Sequence, residues 1–232
     1  GSFIVSNFVS LATNLNFMGG STGTLTLATN VFGAGSVTKQ GPWTLALGGS
    51  NSFVGPVLVD SLGGMLRFDS PFGLGTSNSV TVSNGTVWAN LGTTTTYTNG
   101  YGPAQTVLVT GANSLWTNSA GLVVGPNVQW TVAAGGRLFG AGNSVIGTNT
   151  ANSIVTIAGD GSVTSWWSVG AGPAATRSLA VGTGPGATNN VLTIDGGGLA
   201  GGAVVTNVAA FTIGYFAGNN ELIATNGGRL YS

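Results

Sequence analysis

The chain has 232 residues, of which only 4% are charged, and its formal net charge is zero. Five basic side chains cannot neutralise a run of phosphates, which argues against nucleic acid and anionic membrane surfaces as partners. A hydrophobic fraction of 42% argues against disorder, and no apolar run reaches the ~20 residues that span a bilayer. The sequence has no cysteine and no histidine, which excludes disulfides and removes the commonest general base and metal ligand.

A short phrase recurs along the chain. It consists of an alternating, β-branched segment, a glycine-rich turn and one apolar residue. In chain order the segments and their turns are 57–59 with 63–66, 80–82 with 84–87, 107–109 with 111–115, 130–132 with 135–138, 155–157 with 159–163, 192–194 with 196–199, and 222–224 with 226–230. Self-similarity at roughly 20–35 residues, built from strand and turn without a helical period, is typical of a β-solenoid.

These patterns predict an all-β chain with little or no helix. A rung of three short strands takes roughly 20–25 residues, so we expect on the order of ten rungs in one β-solenoid spanning 1–232. N-terminal rungs cover about 1–90, an out-looping connection covers 91–103, and C-terminal rungs cover 104–232. A second protruding loop is predicted at 170–185. Asparagines cluster at the turns, where their side chains can form ladders between coils.

Residues 35–90 carry a lysine before a glycine, a Thr-Leu-Ala-Leu strand, a G-x-N-x-F-x-G segment and a Gly-Gly-x-Leu turn. This segment resembles the autotransporter-associated β-strand repeat. It departs from that pattern at Pro42, at Phe53, where tyrosine is more usual, and at Pro56. The resemblance is specific over about 55 residues, which include the lysine before a glycine near the beginning and a small Leu-Gly turn further on.

Residues 105–232 are similar to related repeats of large bacterial surface proteins, which share V-T-G-x-G-S-x-W, L-x-V-G and N-x-L-x-I-x-x-G-G-x-L segments. Carriers of this similarity are 109–116, 122–125, 168–170 and 220–230. The resemblance implies a right-handed parallel β-helix that is displayed outside a bacterial cell. It implies no catalytic residues and no cofactor, since these repeats are structural in the family.

Two glycine-containing motifs have both a functional and a structural interpretation. The segment 196–201 matches a dinucleotide-binding fingerprint, but strand-like sequence follows where that fold needs a helix, so a repeat turn is the alternative. Asp160 and Asp195 each precede a glycine, as in calcium-binding turns. Because Ca²⁺ takes 6–8 oxygen ligands and single aspartates supply few, a plain Asp-Gly turn is the alternative there.

Carboxylates offer little for catalysis. Asp60 and Asp69, near Arg67, form the only local cluster, and a glycosidase needs two facing carboxylates. Each of the two lies next to a turn, where aspartate commonly caps the backbone. Without histidine or cysteine, no Ser-His-Asp or Cys-His arrangement exists. We therefore expect no enzymatic activity, no cofactor and no metal site.

Aromatic side chains are better candidates for contact with a partner. Trp166 and Trp167 are adjacent, so they point to opposite faces of any strand and one of them should be exposed. Exposed apolar surface usually marks a partner. We expect Trp166, Trp167 and, in the connection, Tyr97 and Tyr101 to contact a ligand or another subunit.

Both ends of the chain lie inside a repeat phrase. Solenoid ends expose strand edges and apolar faces, so Phe3, Ile4 and Val5 at one end and Leu230 and Tyr231 at the other are candidates for an end-to-end interface. The favoured hypothesis is an extracellular, non-enzymatic structural protein of a bacterium whose copies form a homopolymer, either a filament or a surface fibre. The alternative is an adhesin or carbohydrate-binding stalk segment of an autotransporter-like surface protein that contacts cell-surface glycan.

Overall fold

The computed structural model describes residues 1–70, 79–90, 93–95, 105–170, 177–198 and 202–232. Within these ranges the chain forms β-strands numbered here β1 to β25 and no helix. All pairings between these strands are parallel. The all-β part of the prediction is therefore confirmed, and the parallel pairing is consistent with a solenoid.

The strands pair in three columns, and within a column each strand bonds to a strand about one repeat further along the chain. The first column contains, in order, β1 Ser2–Val5, β4 Thr24–Leu27, β7 Thr44–Leu47, the second half of β9 Val57–Phe68, the second half of β10 Ser79–Ala89, β13 Leu115–Asn118, β16 Arg137–Gly140, β19 Ser165–Ser168, β22 Ala203–Thr206 and β25 Arg229–Leu230.

The second column shares β9 and β10 with the first, because both long strands bend midway and contribute a half to each column. It contains β3 Leu15–Phe17, β6 Val37–Gln40, the first halves of β9 and β10, β12 Gln105–Thr110, β15 Val128–Ala133, β18 Ile154–Ala158, β21 Val191–Asp195 and β24 Glu221–Thr225. The shared strands join the two columns into one sheet of 17 strands.

The third column consists of two shorter sheets. One contains β2 Val9–Leu11, β5 Val31–Gly33 and β8 Ser52–Phe53, and the other contains β11 Thr93–Thr95, β14 Leu122–Val124, β17 Ser144–Thr148, β20 Arg177–Thr183 and β23 Val208–Tyr215. The chain visits the first, third and second columns in that order, as in β1, β2 and β3 or in β22, β23 and β24. We call one such passage a layer.

Inward-pointing side chains of the layers stack in register and form one continuous core. In the first column the main stack is Leu25, Leu45, Leu66, Val87, Trp116, Leu138, Trp167 and Val205. In the second column it is Val37, Val57, Val80, Val107, Trp130, Val155 and Leu192. All of these except the half-buried Leu25 are buried. Burying each such side chain contributes about 1.5–3 kcal/mol, so the core holds the layers together.

Glycines at the turns allow neighbouring layers to approach closely. A β-carbon on Gly136 would collide with the carbonyl oxygen of Val109 in the preceding layer, and one on Gly228 would collide with that of Ile194. The second glycine of these two Gly-Gly turns is thus required by contact between layers.

Asparagine side chains form the ladders expected from the sequence. Asn127, Asn152 and Asn189 all have positive φ, between 55° and 61°. The side-chain amide of Asn152 donates to that of Asn127 at 3.2 Å, and that of Asn189 donates to Asn152 at 3.5 Å. A second ladder runs inside, where Nδ2 of Asn190 donates to Oδ1 of Asn220 at 2.9 Å. These bonds fix the turns of successive layers to one another.

One sequence prediction about loops is wrong. Residues 177–183 belong to β20 and not to a protruding loop, because Leu179 and Val181 alternate with outward residues and are fully buried in the core. Residues 171–176 of that predicted loop lie outside the described residues. In the predicted connection 91–103, Thr93–Thr95 forms β11 and pairs with β14, and the remaining residues lie outside the described ranges.

Two buried tryptophans offer a matched test of the packed core. The rings of Trp116 and Trp130 meet edge to face, with centroids 4.7 Å apart, and both are fully buried. Nε1 of Trp116 donates to Oδ1 of Asn118 at 3.2 Å, whereas Nε1 of Trp130 finds no acceptor among the described residues. Trp116→Phe therefore removes a buried hydrogen bond, while Trp130→Phe removes an unsatisfied donor.

We expect Trp116→Phe to lower the free energy of unfolding by about 1–3 kcal/mol more than Trp130→Phe, because both changes remove similar volume and only one breaks a buried bond. Urea denaturation of the two variants, followed by circular dichroism, measures the difference. Equal losses, or a larger loss in Trp130→Phe, would contradict the described packing.

Candidate functional site

The outer face of the first column carries the candidate site. Parallel register aligns its outward side chains into two rows that cross the layers. One row contains Thr86, Leu115, Arg137, Trp166 and Val204, and the other contains Arg67, Trp88, Thr117, Phe139, Ser168 and Thr206. We call the part formed by Leu115, Arg137, Phe139, Trp166 and Val204 the Trp166 face. It brings aromatic, aliphatic and basic side chains together on a sheet surface.

The adjacent tryptophans point to opposite sides of β19, as the sequence predicted. Trp166 is 42% exposed, whereas Trp167 is 0% exposed in the core stack. Trp166 is thus the member of the pair that a ligand or subunit can reach, and Trp167 has a packing role. The other two predicted contact residues, Tyr97 and Tyr101, lie outside the described residues.

The indole of Trp166 is fixed by a hydrogen bond and lines two small cavities, called hollows here. Its Nε1 donates at 2.9 Å to Oγ1 of Thr206, which lies in the neighbouring strand β22 two residues beyond Val204, the register partner of Trp166. One hollow, with a volume of about 270 Å³, is lined by Leu115, Arg137 and Phe139 on one side of the indole. The other, of similar volume, lies between Arg137, Trp166 and Val204. The indole therefore presents an oriented ring to ligands in either hollow.

Arg137 stands out among the five basic side chains of the chain. Arg67 forms an ion pair with Asp69 at 2.8 Å, Nε of Arg177 donates to a backbone carbonyl at 3.1 Å, and Arg229 donates to the hydroxyl of Tyr231 at 2.9 Å. The side chain of Arg137 is exposed and has no hydrogen bond or ion pair within the described part of the chain. An unpaired guanidinium thus lies beside the exposed indole.

Two of the five carboxylates, those of Asp160 and Asp195, accept hydrogen bonds from the backbone of their own turns. Oδ1 of Asp160 accepts hydrogen bonds from the N–H groups of Val163 and Ser162, both at 2.9 Å, and these bonds lower the pKa of Asp160. Bonds from the N–H of Gly197 and from Nδ2 of Asn226 likewise lower the pKa of Asp195. In both cases the carboxylate accepts hydrogen bonds from the backbone of its own Asp-Gly turn.

The acidic cluster and the glycine-rich turn have the following surroundings in the part of the chain that the structure describes, which leaves out residues 199–201 of that turn. Arg67 neutralises Asp69, which also accepts from Nδ2 of Asn90 at 3.2 Å, while Asp60 is exposed on its own strand. After the glycine-rich turn, Ala203–Thr206 is strand β22 and not a helix. Among the residues that the structure describes, no group of three or more acidic side chains is placed to hold a metal ion.

Lys39, the single lysine of the chain, is a buried cation. The sequence pattern indicated it only as part of the repeat in residues 35–90. It is 0% exposed. Its Nζ donates to the carbonyl oxygens of Gln40 and Gly41 at 3.1 and 2.8 Å, and to Oγ of Ser61 at 2.8 Å. The ammonium also lies 4.3 Å from the centre of the Trp43 ring. All five carboxylates of the chain are described and none pairs with it, and burial lowers its pKa to about 8.

The inward direction of Lys39 has a sequence signal that was available. Lys39 follows Val37 by two residues, so strand alternation turns both side chains into the core. Parallel register places it between Phe17 and Val59 in neighbouring layers. The lysine is therefore a core residue whose charge is satisfied by its own turn and by the indole.

Inward positions at both ends of the structure are partly open. Phe3 is 74% exposed, although its register partner Leu25 begins the stack that is fully buried from the next layer onward. Val5 is also exposed, and Ile4 points to the outer face. At the other end Tyr231 is exposed and Leu230 half-buried.

Comparison with known proteins gives no relative. No family model matches the chain, and neither the curated proteins nor the solved structures contain a match. Across the described ranges, the chain forms no helix of the length and apolarity that a membrane crossing requires.

The buried lysine makes stability depend on alkaline pH. The folded state holds the Lys39 proton with a pKa of about 8, while the unfolded chain holds it with the ordinary value of 10.5. Between these two values the unfolded state binds more protons, so the free energy of unfolding should rise as pH increases from 8 to 10.5. The stabilisation gained when Lys39 loses its proton is complete above pH 10.5, the pKa of the unfolded chain, and is lost as the pH falls through the folded pKa of about 8.

Lys39→Met keeps the side-chain length and removes the charge. Urea denaturation of wild type and variant at several pH values should show the rise in wild type and its loss in Lys39→Met, because all other titrating groups are shared. Parallel pH profiles for the two proteins would show that Lys39 is solvated as well when folded as when unfolded.

Proposed function

We propose that the chain is a right-handed parallel β-helix that serves as a non-enzymatic structural protein outside a bacterial cell, and that its copies stack end to end into a filament or surface fibre. Three-column parallel pairing supports the β-helix, since each layer returns the chain to the column in which it began. Right-handedness follows the general rule for parallel crossovers and the resemblance to autotransporter repeats. That resemblance also supports the extracellular location.

The stacking proposal depends on one observation: core positions that are buried in the inner layers are exposed in the first and last layers. Ile213 in the last layer is 43% exposed, whereas its register partner Val181 is fully buried. Leu15 in the first layer is exposed, and its partner Val37 is buried. A further layer of the same kind would bury these side chains and pair the edges of the outer strands.

The two ends present strands of the same three columns. The first layer presents β1, β2 and β3, and the opposite end presents β23 and β24 of the last complete layer together with β25, which begins the next layer in the first column. A copy placed on top of another continues the third and second columns in the parallel sense when its β2 pairs with β23 and its β3 with β24, and its β1 then takes the place of the two-residue strand β25. The contact joins two different surfaces, so it does not close and gives an open filament. Near-zero net charge removes the repulsion between copies.

A charge placed at one end of the chain should prevent another copy from binding there and leave the other end able to bind a copy. We expect Phe3→Lys alone and Ile213→Lys alone to abolish filaments, because each puts a charge at an apolar contact that must be desolvated. A mixture of the two variants should form dimers only, since the last layer of the first variant can still accept the first layer of the second. Light scattering and electron microscopy measure the assemblies.

Leu58→Lys is the matched control, because Leu58 is exposed on the outer face of the third layer, which belongs to neither end. This variant should assemble as the unmodified chain does. If the unmodified chain stays monomeric at high concentration, the stacking proposal fails and a stalk segment takes its place. Dimers of Ile213→Lys alone would indicate contact between two first layers, which also contradicts head-to-tail stacking.

The non-enzymatic part of the proposal is supported by the use of the carboxylates. Asp160 and Asp195 bind turns, and Asp69 is neutralised by Arg67. We expect no release of reducing or unsaturated ends from polysaccharides, measured by a colorimetric assay and by ultraviolet absorbance. Activity that disappears in Asp69→Asn or Asp60→Asn would overturn this part of the proposal.

Carbohydrate binding by an adhesin-like stalk is a second candidate, favoured by one observation. Trp166 is exposed, fixed by Thr206 and flanked by two apolar hollows. Aromatic rings in such settings offer a rigid apolar surface with a polar edge. This candidate is compatible with stacking, because the Trp166 face lies on the side of the molecule and not at its ends.

A further inference from the structure

Arg137 and Trp166 are direct register partners on adjacent strands β16 and β19. Neighbouring strands lie about 4.8 Å apart, and partners in a parallel ladder point to the same face of the sheet. The guanidinium and the indole therefore start from neighbouring points of one flat surface. A ligand that covers the indole is within reach of the guanidinium.

The charge of Arg137 is not used inside the described structure. Three of the other four basic side chains have a side-chain or backbone partner at the surface, and the fourth, Lys39, is buried. A guanidinium forms paired hydrogen bonds with a carboxylate and keeps its charge at all physiological pH values. An exposed, unpaired guanidinium in a chain with so few charges favours a ligand that carries an acid group.

The surroundings of Trp166 favour a ring-shaped ligand with an apolar face. Leu115 and Phe139 line the hollow on one side of the indole, and Val204 lines the hollow on the other. Hydroxyl groups of Thr117 and Thr206 belong to the second row of the same face, whereas the hydroxyl of Ser168 in that row is buried and donates to the carbonyl oxygen of Gly170. Small-molecule sites combine mostly apolar walls with a few polar groups in this way.

The presence of one unpaired cation on this face favours an acidic sugar over nucleic acid as the partner. Nucleic acid is held by several cations along its backbone, and this face offers one. A sugar ring with a carboxyl group needs one apolar platform and one guanidinium, which is the pair that the face presents. Successive sugars of the same chain could then occupy the second hollow on the far side of the indole.

We infer that the Trp166 face binds the uronic acid units of an acidic glycan. The indole of Trp166 stacks on the apolar face of a sugar ring, and the guanidinium of Arg137 pairs with the carboxylate of that sugar. This inference rests on the carbohydrate-binding candidate and is independent of end-to-end stacking.

The test uses uronate hexamers derived from pectin, alginate and hyaluronan, together with their methyl esters, which keep the sugar chain and mask the carboxylates. Isothermal titration calorimetry with the whole chain should show binding of at least one acid form and a weaker binding of its ester. Arg137→Gln should weaken the acid form by about tenfold or more and leave the ester within about twofold, because a charge-assisted bond is lost. Trp166→Ala should weaken both forms by about tenfold, as expected for loss of a stacking platform.

Arg229→Gln is the matched control, because Arg229 lies in the same outer row, three layers from Arg137, and its guanidinium is bonded to Tyr231. It should bind as the unmodified chain does. Circular dichroism checks the fold of every variant, and Trp166→Phe, which keeps an aromatic ring, should recover part of the affinity lost in Trp166→Ala.

Three outcomes would overturn the inference, and they separate it from the wider proposals. Binding of acid and ester with equal affinity, lost in Trp166→Ala and unchanged in Arg137→Gln, would leave carbohydrate binding and remove the acidic specificity. No binding of any hexamer at millimolar concentration would remove carbohydrate binding as a whole. Equal loss in Arg137→Gln and Arg229→Gln would indicate a general charge effect. None of these results bears on filament formation, which light scattering measures separately.

Discussion

In-register parallel pairing is the constraint on which the rest of this structure depends. Once a strand pairs with the strand one layer away, every inward residue lies over an inward residue and every outward residue over an outward one. The same rule creates the apolar stacks of the core, the asparagine ladders at the turns and the rows of the outer face. It also restricts what a single position can hold, since a change in one layer is felt by both neighbours.

Lys39 shows how the chain accommodates an exception to that rule. Its position in the stack demands an apolar side chain, and Phe17 and Val59 occupy the equivalent places in the adjacent layers. The lysine is tolerated because its own turn supplies acceptors for its protons and Trp43 covers the ammonium. Burial of a cation is costly unless its hydrogen bonds are made, so the turn and the lysine depend on each other.

Strand alternation and turn chemistry were sufficient to predict the strands, the lack of helix in the described ranges and the opposite directions of Trp166 and Trp167. They did not say which tryptophan is exposed, and the expectation that Trp167 contacts a partner is wrong, because Trp167 is fully buried. These features depend on local residue types, which a sequence displays directly. The protruding loop at 170–185 was predicted wrongly because the glycines and prolines there outweighed the alternation of Leu179 and Val181. The free guanidinium of Arg137 was not predicted, since it depends on which side chains of other layers come within its reach. The burial of Lys39 was missed although its alternation with Val37 indicated it.

The separation between bonded partners bears on how such a chain acquires its structure. Side chains that bond across layers are about 20 to 40 residues apart in sequence, as in the pairs Ser50 with Ser70 and Trp166 with Thr206. The first contact between two layers must therefore close a long loop before any core is buried, and that closure is entropically unfavourable. Later layers add to an existing template and need only their own residues to order. Folding should thus be slow to nucleate and fast to propagate, and a nascent chain gains a template only after its second layer has emerged.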